Sequence, residues 1–281
     1  MELVKTTIRA GAEAPFRLLH ITDTHLTYAD GRDGRRKVAL AESRARVFHD
    51  ENGSIERHLD EAITYARDGG MLLVHTGDLI DFVSRKNLEV ARKKLTGVDC
   101  MMAAGNHEFS LYVGEAFEDE AYKARSFDRV QAVFANDISF SSRVVGGVNL
   151  IFIDNSYYLF SRRQLDALRR ELDRGLPSIL FFHNPLHTPA LYADRMQAGP
   201  CAYLTGTPEE LLACYPPDRY RQQKPDAVTL ETIACITASP FVKAIVAGHL
   251  HIFHDGALDC GIPQYVTGAG YDGCAREITV I

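Results

Sequence analysis

Five short segments of the chain carry side chains suited to hard metal ions. In order they are Ile21-Thr22-Asp23-Thr24-His25, Val74-His75-Thr76-Gly77-Asp78-Leu79-Ile80-Asp81, Ala104-Gly105-Asn106-His107-Glu108, Phe182-His183-Asn184 and Gly248-His249-Leu250-His251. Carboxylate and amide oxygens with imidazole nitrogens, and no thiolate among them, suit Mn, Fe or Zn. Each segment alone has a plainer reading. Asp23 is a loop cap, Gly105-Asn106 a turn and His183 a satisfied core histidine. Together they describe a centre. Two dications roughly 3.5–4 Å apart repel and need a shared anion. Asp78, in the middle of the series, is expected to bridge them with its two carboxylate oxygens, and a water-derived hydroxide can bridge too.

The segments follow elements able to hold them in one place. Phe16 to Thr22, Met71 to Thr76 and Val98 to Ala104 read as buried strands. Helices over Ser54–Asp68, with Ser54 as N-cap, and Ser84–Leu95 separate them. Ile55, Leu59, Ala62, Ile63 and Ala66 recur at helical spacing, and Asp68-Gly69-Gly70 stops the helix. In open α/β sheets, ligands bind outside the C-terminal ends of strands, where the first three segments fall. A helix is predicted over 115–135, opening at Glu115-Ala116-Phe117. Ile138–Val145 and Val148–Asp154 around Gly146-Gly147 read as a hairpin. A helix over Ser161–Asp173 leads to the strand Ile179–Phe182 and His183. A helix over Val228–Ser239 leads to the strand Val242–Ala247 and Gly248. Residues 252–281 read as short strands and turns.

Two long polar excursions interrupt this order, and each leaves directly after a candidate ligand. Residues 27–53 contain Asp30-Gly31-Arg32-Asp33-Gly34-Arg35-Arg36-Lys37 and a short helix near Val38–Phe48. Loops this long are functional or mobile, so the excursion is either a solvated insertion or a substrate-facing loop. Residues 185–225 hold seven prolines and little periodicity, with one short helix over Glu209–Cys214.

Composition bounds the class. The 281 residues suffice for a single large domain, with 46% apolar and 24% charged residues as in ordinary globular proteins. A net charge of -6 makes the chain a poor candidate for a general nucleic-acid or anionic-membrane binder. It leaves an anionic substrate open, because bound metals make a local site cationic. The six cysteines form no CxxC pair and read as reduced, mostly buried thiols of a cytoplasmic protein. Cys201 and Cys214 are the pair to check. Met1-Glu2-Leu3-Val4-Lys5 does not resemble a signal peptide, and no apolar window is long enough to span a bilayer.

The ordered series from Leu18 to His251 resembles that of the calcineurin-like metallophosphoesterases. The resemblance implies a four-layer αββα sandwich of two mixed sheets flanked by helices, as one domain over 1–281. It implies two divalent or mixed-valence ions. Asp23, His25 and His251 would complete one site, Asn106, His183 and His249 the other, with Asp78 common to both. His107 resembles the catalytic histidine, stabilising phosphoryl oxygens and protonating the leaving group. Asp81 resembles the acid that orients it, with a plain helix N-cap as the alternative. No tyrosine follows Asp78, which argues against the tyrosinate–Fe(III) centre of purple acid phosphatases. The expected activity is hydrolysis of a phosphate ester by in-line attack of a metal-bridging hydroxide. The opening Leu18–Leu26 looks like phosphodiesterase-type members, so a diester is favoured. A phosphomonoesterase is the alternative, and a non-catalytic scaffold of the same fold a more distant one.

Outside the motifs, His187 and His254 are candidates for substrate contact because they lie close to ligands. Arg32, Arg35 and Arg36 are either a solvated loop face or a phosphate clamp. His75 reads as packing, and His20, His49 and His58 as structural or surface residues. Tyr157, Tyr158, Tyr203, Tyr215 and Tyr220 read as loop packing, with stacking on a nucleobase as the alternative.

Overall fold

Leu18, Leu72 and Val74 point to one side of their strands and Leu19 and Leu73 to the other, and both sets are buried. A sheet apolar on both faces must be covered on both. A computed structural model, describing residues 1–50, 52–113 and 120–281, shows how. Strands β1 (Glu2–Ile8), β2 (Phe16–Ile21), β3 (Leu72–His75) and β4 (Cys100–Met102) belong to one sheet. Strands β5 (Phe140–Val145), β6 (Val148–Ile153), β7 (Ser178–Phe181), β8 (Val242–Ala247), β9 (His254–Ala257) and β10 (Pro263–Val266) form a second. Strand β11 (Cys274–Val280) returns to the first, whose order is β1-β11-β2-β3-β4. The second runs β5-β6-β7-β8-β10-β9.

The inner faces pack on each other through Leu18, Val74, Phe152, Phe181, Val246 and Ile278. Helices α1 (Arg35–Val47), α2 (Ser54–Asp68), α3 (Arg85–Leu95) and α4 (Glu120–Gln131) precede the hairpin. Of these, α2, α3 and α4 supply Ile55, Leu59, Leu88, Ala91 and Val130 to the cluster that buries Leu19 and Leu73. Helix α5 (Arg162–Leu172) puts Leu168 and Leu172 over the outer face of the second sheet. The second excursion carries α6 (Pro189–Ala198), α7 (Glu209–Leu212) and α8 (Pro217–Gln223), and α9 (Ala227–Ala238) follows. Ile236 of α9 joins Leu168 over the second sheet. The result is the four-layer αββα sandwich.

Strands β2, β3 and β4 are parallel, and so are β6, β7, β8 and β10. All five motif segments therefore leave C-terminal strand ends. The two sheets present those ends to one another, as the bonds from His183 to Thr76 and from His249 to Asp23 show.

Several sequence expectations are corrected. Ser54 is the first residue of α2 rather than its cap. Asp50 does the capping, its carboxylate accepting from the Ile55 N–H at 3.0 Å. The second excursion holds α6 and α8 as well as α7, because Pro189 and Pro217 sit in the first turn, where a missing N–H costs nothing. Strand β1 was not anticipated: it pairs in parallel with β11, far away in sequence. Of the 115–135 helix, Gln131 ends the structured part, and its predicted opening at Glu115-Ala116-Phe117 lies outside the described residues. The six cysteines are unpaired, Cys201 and Cys214 included, but only Cys201 is fully buried and Cys214 and Cys260 are exposed. Among the described residues no helix is long and apolar enough to cross a membrane.

Candidate metal centre

The strand ends bend sharply to aim their side chains. Asp23, His25, Asp78, His249 and His251 all have left-handed backbones, with φ between 52° and 70°. Such torsions cost a non-glycine residue about 1–3 kcal/mol each and persist only where surroundings enforce them. Here backbone bonds enforce them: Asp23 N–H to Gly77 O at 2.9 Å and His25 N–H to Asp78 O at 2.8 Å. The loops also touch at glycines. A Cβ on Gly77 would collide with the Gly105 backbone, and one on Gly105 with the Asp78 carboxylate. Glu108 locks this contact. Its buried carboxylate accepts from the N–H groups of Asp78, Leu79 and Gly105 at 2.7 Å each and of Ile80 at 3.2 Å. Burial and the neighbouring Asp78 charge push the Glu108 carboxyl up to about 7.

Two groups of donors result. Asp23, His25 and His251 form one, Asp78, His183 and His249 the other, and a third set, His25, Asp78 and His107, overlaps both. Within the first, His25 Nε2 lies 3.3 Å from His251 Nε2, which is 3.1 Å from Asp23 Oδ1. Within the second, His183 Nε2 lies 3.0 Å from His249 Nδ1 and 3.2 Å from Asp78 Oδ2. Two donors about 2.1 Å from one ion are roughly 3.0–3.4 Å apart at tetrahedral or octahedral angles, so these spacings fit a metal. The orphaned oxygens agree. Asp23 Oδ2 accepts from Thr22 Oγ1 and the His249 N–H. Its Oδ1 and the Asn106 Oδ1 are buried without a hydrogen bond.

Asp78 stands between the groups. Its Oδ1 accepts the His107 N–H at 2.8 Å. Its Oδ2 alone faces both His183, at 3.2 Å, and His25, at 3.8 Å. Oδ1 thus also serves the backbone of the Asn106-His107 turn, and Oδ2 is the oxygen that faces both groups.

Every imidazole of the two groups has its second nitrogen held. His25 Nδ1 pairs with Asp81 Oδ1 at 2.9 Å and His183 Nδ1 with Thr76 O at 2.7 Å. His249 Nε2 faces Tyr158 Oη at 2.9 Å, and His251 Nδ1 faces Tyr271 Oη at 3.2 Å. Such outer partners fix tautomer and ring orientation at metal sites. His107 sits at the edge of both groups, with a ring nitrogen within 4.8 Å of donor atoms of His25 and Asp78. Its Nδ1 is bound to the Asp81 carbonyl at 2.7 Å and lies 3.1 Å from Asp81 Oδ1. Asp81 is therefore not a helix cap; Ser84 caps α3.

The electrostatics of the bare side chains follow from this packing. Burial alone would raise Asp78 and lower His107. The positive His183 and His107 hold Asp78 well below the usual range, and Asp78 and Asp81 push His107 up to about 10. Burial and the adjacent His183 hold His249 well down, so its ring is neutral and its lone pair available.

The remaining expectations divide. Arg32 is tied to Asp30 and Glu89 on an exposed face, and Arg36 stacks over Tyr112 at 4.0 Å. Arg35 is exposed, and His254 lies on β9. His187 packs beside Tyr192, at 5.6 Å between rings. His75 and His20 are buried and bonded to threonines, as packing residues are. Tyr158, read as loop packing, instead holds His249, and four contributors had no assigned role in sequence: Glu108, Tyr271, Arg44 and Phe48. Glu108 sat beside His107 in the Gly105-Asn106-His107 motif, where a buried carboxylate was open to notice. The other three are joined to the site only by packing.

A model of the calcineurin-like phosphoesterase family matches residues 16–253, and the chain belongs to that family. Among solved structures it resembles a dimetal phosphatase from Danio rerio, with 15% identity, a TM-score of 0.54, and coverage of 91% of this chain and 88% of that one. It also resembles a phosphopantetheinyl hydrolase from Mycobacterium tuberculosis, with 12% identity, a TM-score of 0.47, and 92% and 91% coverage. A third is a 5'-nucleotidase precursor from Thermus thermophilus, with 15% identity, a TM-score of 0.42, and 95% and 54% coverage. At 15% identity the likeness to the dimetal phosphatase is one of fold. No curated protein sequence matches the chain. The family uses a dinuclear metal centre, and the donor groups of this chain are candidate ligand clusters.

Proposed function

We propose that the protein is a dinuclear-metal-dependent phosphoesterase acting on a phosphodiester. The reading is carried by one observation: Asp78 Oδ2 faces histidines of two donor groups, and motif oxygens of Asp23 and Asn106 are buried without a hydrogen bond. Asp23, His25, His251 and Asp78 would hold one ion. Asn106, His183, His249 and Asp78 would hold the other. When bound, the pair supplies a nucleophilic hydroxide at neutral pH and neutralises charge on the phosphoryl oxygens. Mn, Fe and Zn all suit this donor set.

The chain's own residues do the rest. His107 hands its proton to the leaving oxygen, which takes the electron pair of the breaking P–O bond. The water that adds to phosphorus restores that proton over the full turnover. An alkoxide is a poor leaving group, and such help is worth about 10²–10⁴-fold. Asp78 and Asp81 favour the protonated imidazole that this role needs.

The diester preference rests on the Leu18–Leu26 opening and on the state of Arg44. That guanidinium, beside His107, is engaged by Asp81 rather than reserved for a dianionic phosphate. Turnover of bis(p-nitrophenyl) phosphate against p-nitrophenyl phosphate, with Mn²⁺ added, tests both levels. Faster diester hydrolysis supports the proposal, and faster monoester hydrolysis reverses the preference. No turnover of either, with no bound metal, removes the enzyme reading.

A further inference from the structure

The first excursion does something that neither a solvated insertion nor a substrate loop would do. Helix α1 ends over the metal centre, and two of its terminal residues grip it. Arg44 donates from Nε to Asp81 Oδ2 at 2.6 Å and from Nη2 to Asp81 Oδ1 at 3.0 Å. Phe48, four residues on, stacks on His25 with ring centroids 4.5 Å apart and planes 22° from parallel. The guanidinium lies 4.7 Å above the other ring of this stack, Phe48 itself. Tyr271, which faces His251, closes on Phe48 at 4.7 Å.

Asp81 is fully buried, and its oxygens serve three side chains. Oδ1 meets His25 Nδ1, His107 Nδ1 and Arg44 Nη2. The side-chain partner of Oδ2 is Arg44 Nε. A carboxylate is free to turn about its last torsion. The two-point guanidinium contact removes that freedom, because only one carboxylate plane satisfies both nitrogens. With the plane fixed, Oδ1 lies where it can meet both imidazoles. His107 Nδ1, bonded to the Asp81 carbonyl at 2.7 Å, lies 3.1 Å from Oδ1, so Asp81 meets the ring at two points and Arg44 sets the second of them.

We propose that Arg44 is a positioning residue for proton delivery: through Asp81 it fixes the orientation of His107, so that the first excursion arms the leaving-group step. The inference rests on the reading of His107 as proton donor. Arg44 itself need not touch substrate.

The test is a comparison of leaving groups in the metal-loaded full-length protein. Diesters of p-nitrophenol need little proton help, and those of unsubstituted phenol need much. Arg44→Ala and Arg44→Lys should lower the phenyl-to-p-nitrophenyl ratio of kcat by about 10–100-fold, the usual effect of removing such an outer partner. The lysine keeps the charge but not the two-point contact. KM and bound metal should change little. Guanidinium ion added to Arg44→Ala should restore the ratio, whereas ammonium and urea should not.

His107→Ala serves as the reference. If it lowers the ratio and the Arg44 variants do not, the proposal for Arg44 is wrong while the site reading stands. If His107→Ala leaves the ratio unchanged, the site reading fails first. Loss of metal in soluble, folded Arg44→Lys would overturn the proposal by showing that Arg44 supports the ions through His25. Should Arg44→Ala fail to fold, Arg44→Lys carries the test alone.

Discussion

Replacing Asp78 with asparagine should do more than remove a charge. The Oδ1 position must keep an acceptor, because the His107 N–H points at it from 2.8 Å. In Asp78→Asn the amide oxygen is therefore held there. The amide nitrogen, with its two protons, takes the place of Oδ2 between His25 and His183. Two dications about 4 Å apart repel by roughly 17 kcal/mol at an effective dielectric near 20. An anionic oxygen about 2 Å from both contributes roughly twice that in attraction, in the same gross terms. The variant loses this attraction and aims protons at both ions. After reconstitution with Mn²⁺ or Zn²⁺ and gel filtration, elemental analysis should find about two ions per wild-type chain and no more than one in Asp78→Asn. Turnover should fall by at least about 10³-fold, the kinetic equivalent of losing several kcal/mol. His25→Ala and Asn106→Ala should each first weaken one ion. Circular dichroism should stay native, since Glu108 still holds the surrounding N–H groups. The reasoning fails if Asp78→Asn binds two ions with wild-type affinity, or if His25→Ala strips both as completely.

Three further outcomes follow from the same geometry. Glu108→Ala leaves the N–H groups of Asp78, Leu79, Ile80 and Gly105 without their acceptor. It should cost about 3 kcal/mol or more and lower the melting temperature by roughly 5–10 °C, read by calorimetry. Tyr158→Phe removes the hydroxyl that holds His249 Nε2 and should weaken metal binding by about 10–100-fold in chelator competition, with little change in folding. Burial holds His75 down to about 3, so folded His75 stays neutral while the unfolded residue protonates below about 6.5. Its contribution is complete above that pH and is lost as pH falls toward 3, by about 1.4 kcal/mol per pH unit once the unfolded histidine is protonated. A His75→Gln variant should show a shallower acid slope in urea midpoints, and an identical slope would refute the assignment.

The sandwich was legible because its strands are apolar on both faces and end in chemistry. Leu18, Leu19, Leu72, Leu73 and Val74 are all buried, and the motif residues follow directly. The hairpin at Gly146-Gly147 and the capping box at Ser161 are local features that a local reading finds. Strand β1 escaped because its pairing with β11 is long-range and its own residues are half exposed. Helices α6 and α8 escaped because the proline-rich segment shows little apolar periodicity, and their prolines sit in the first turn. At the site, side-chain types were readable and their torsions were not. Nothing in Asp78 or His249 as residue types announces a left-handed backbone. Likewise, the link between Arg44 and Asp81 spans 37 positions and exists only once α1 has packed.

Those torsions bear on how quickly ions exchange. Asp23, His25, Asp78 and His249 are held in left-handed conformations by bonds between neighbouring strand ends. A donor with no softer conformation nearby does not swing aside to let its ion go. Release of a bound ion would then wait on the strand ends separating together. The half-life of the bound pair should accordingly be insensitive to chelator concentration and sensitive to whatever loosens the frame, which makes metal retention a gauge of how firmly the sheets are closed.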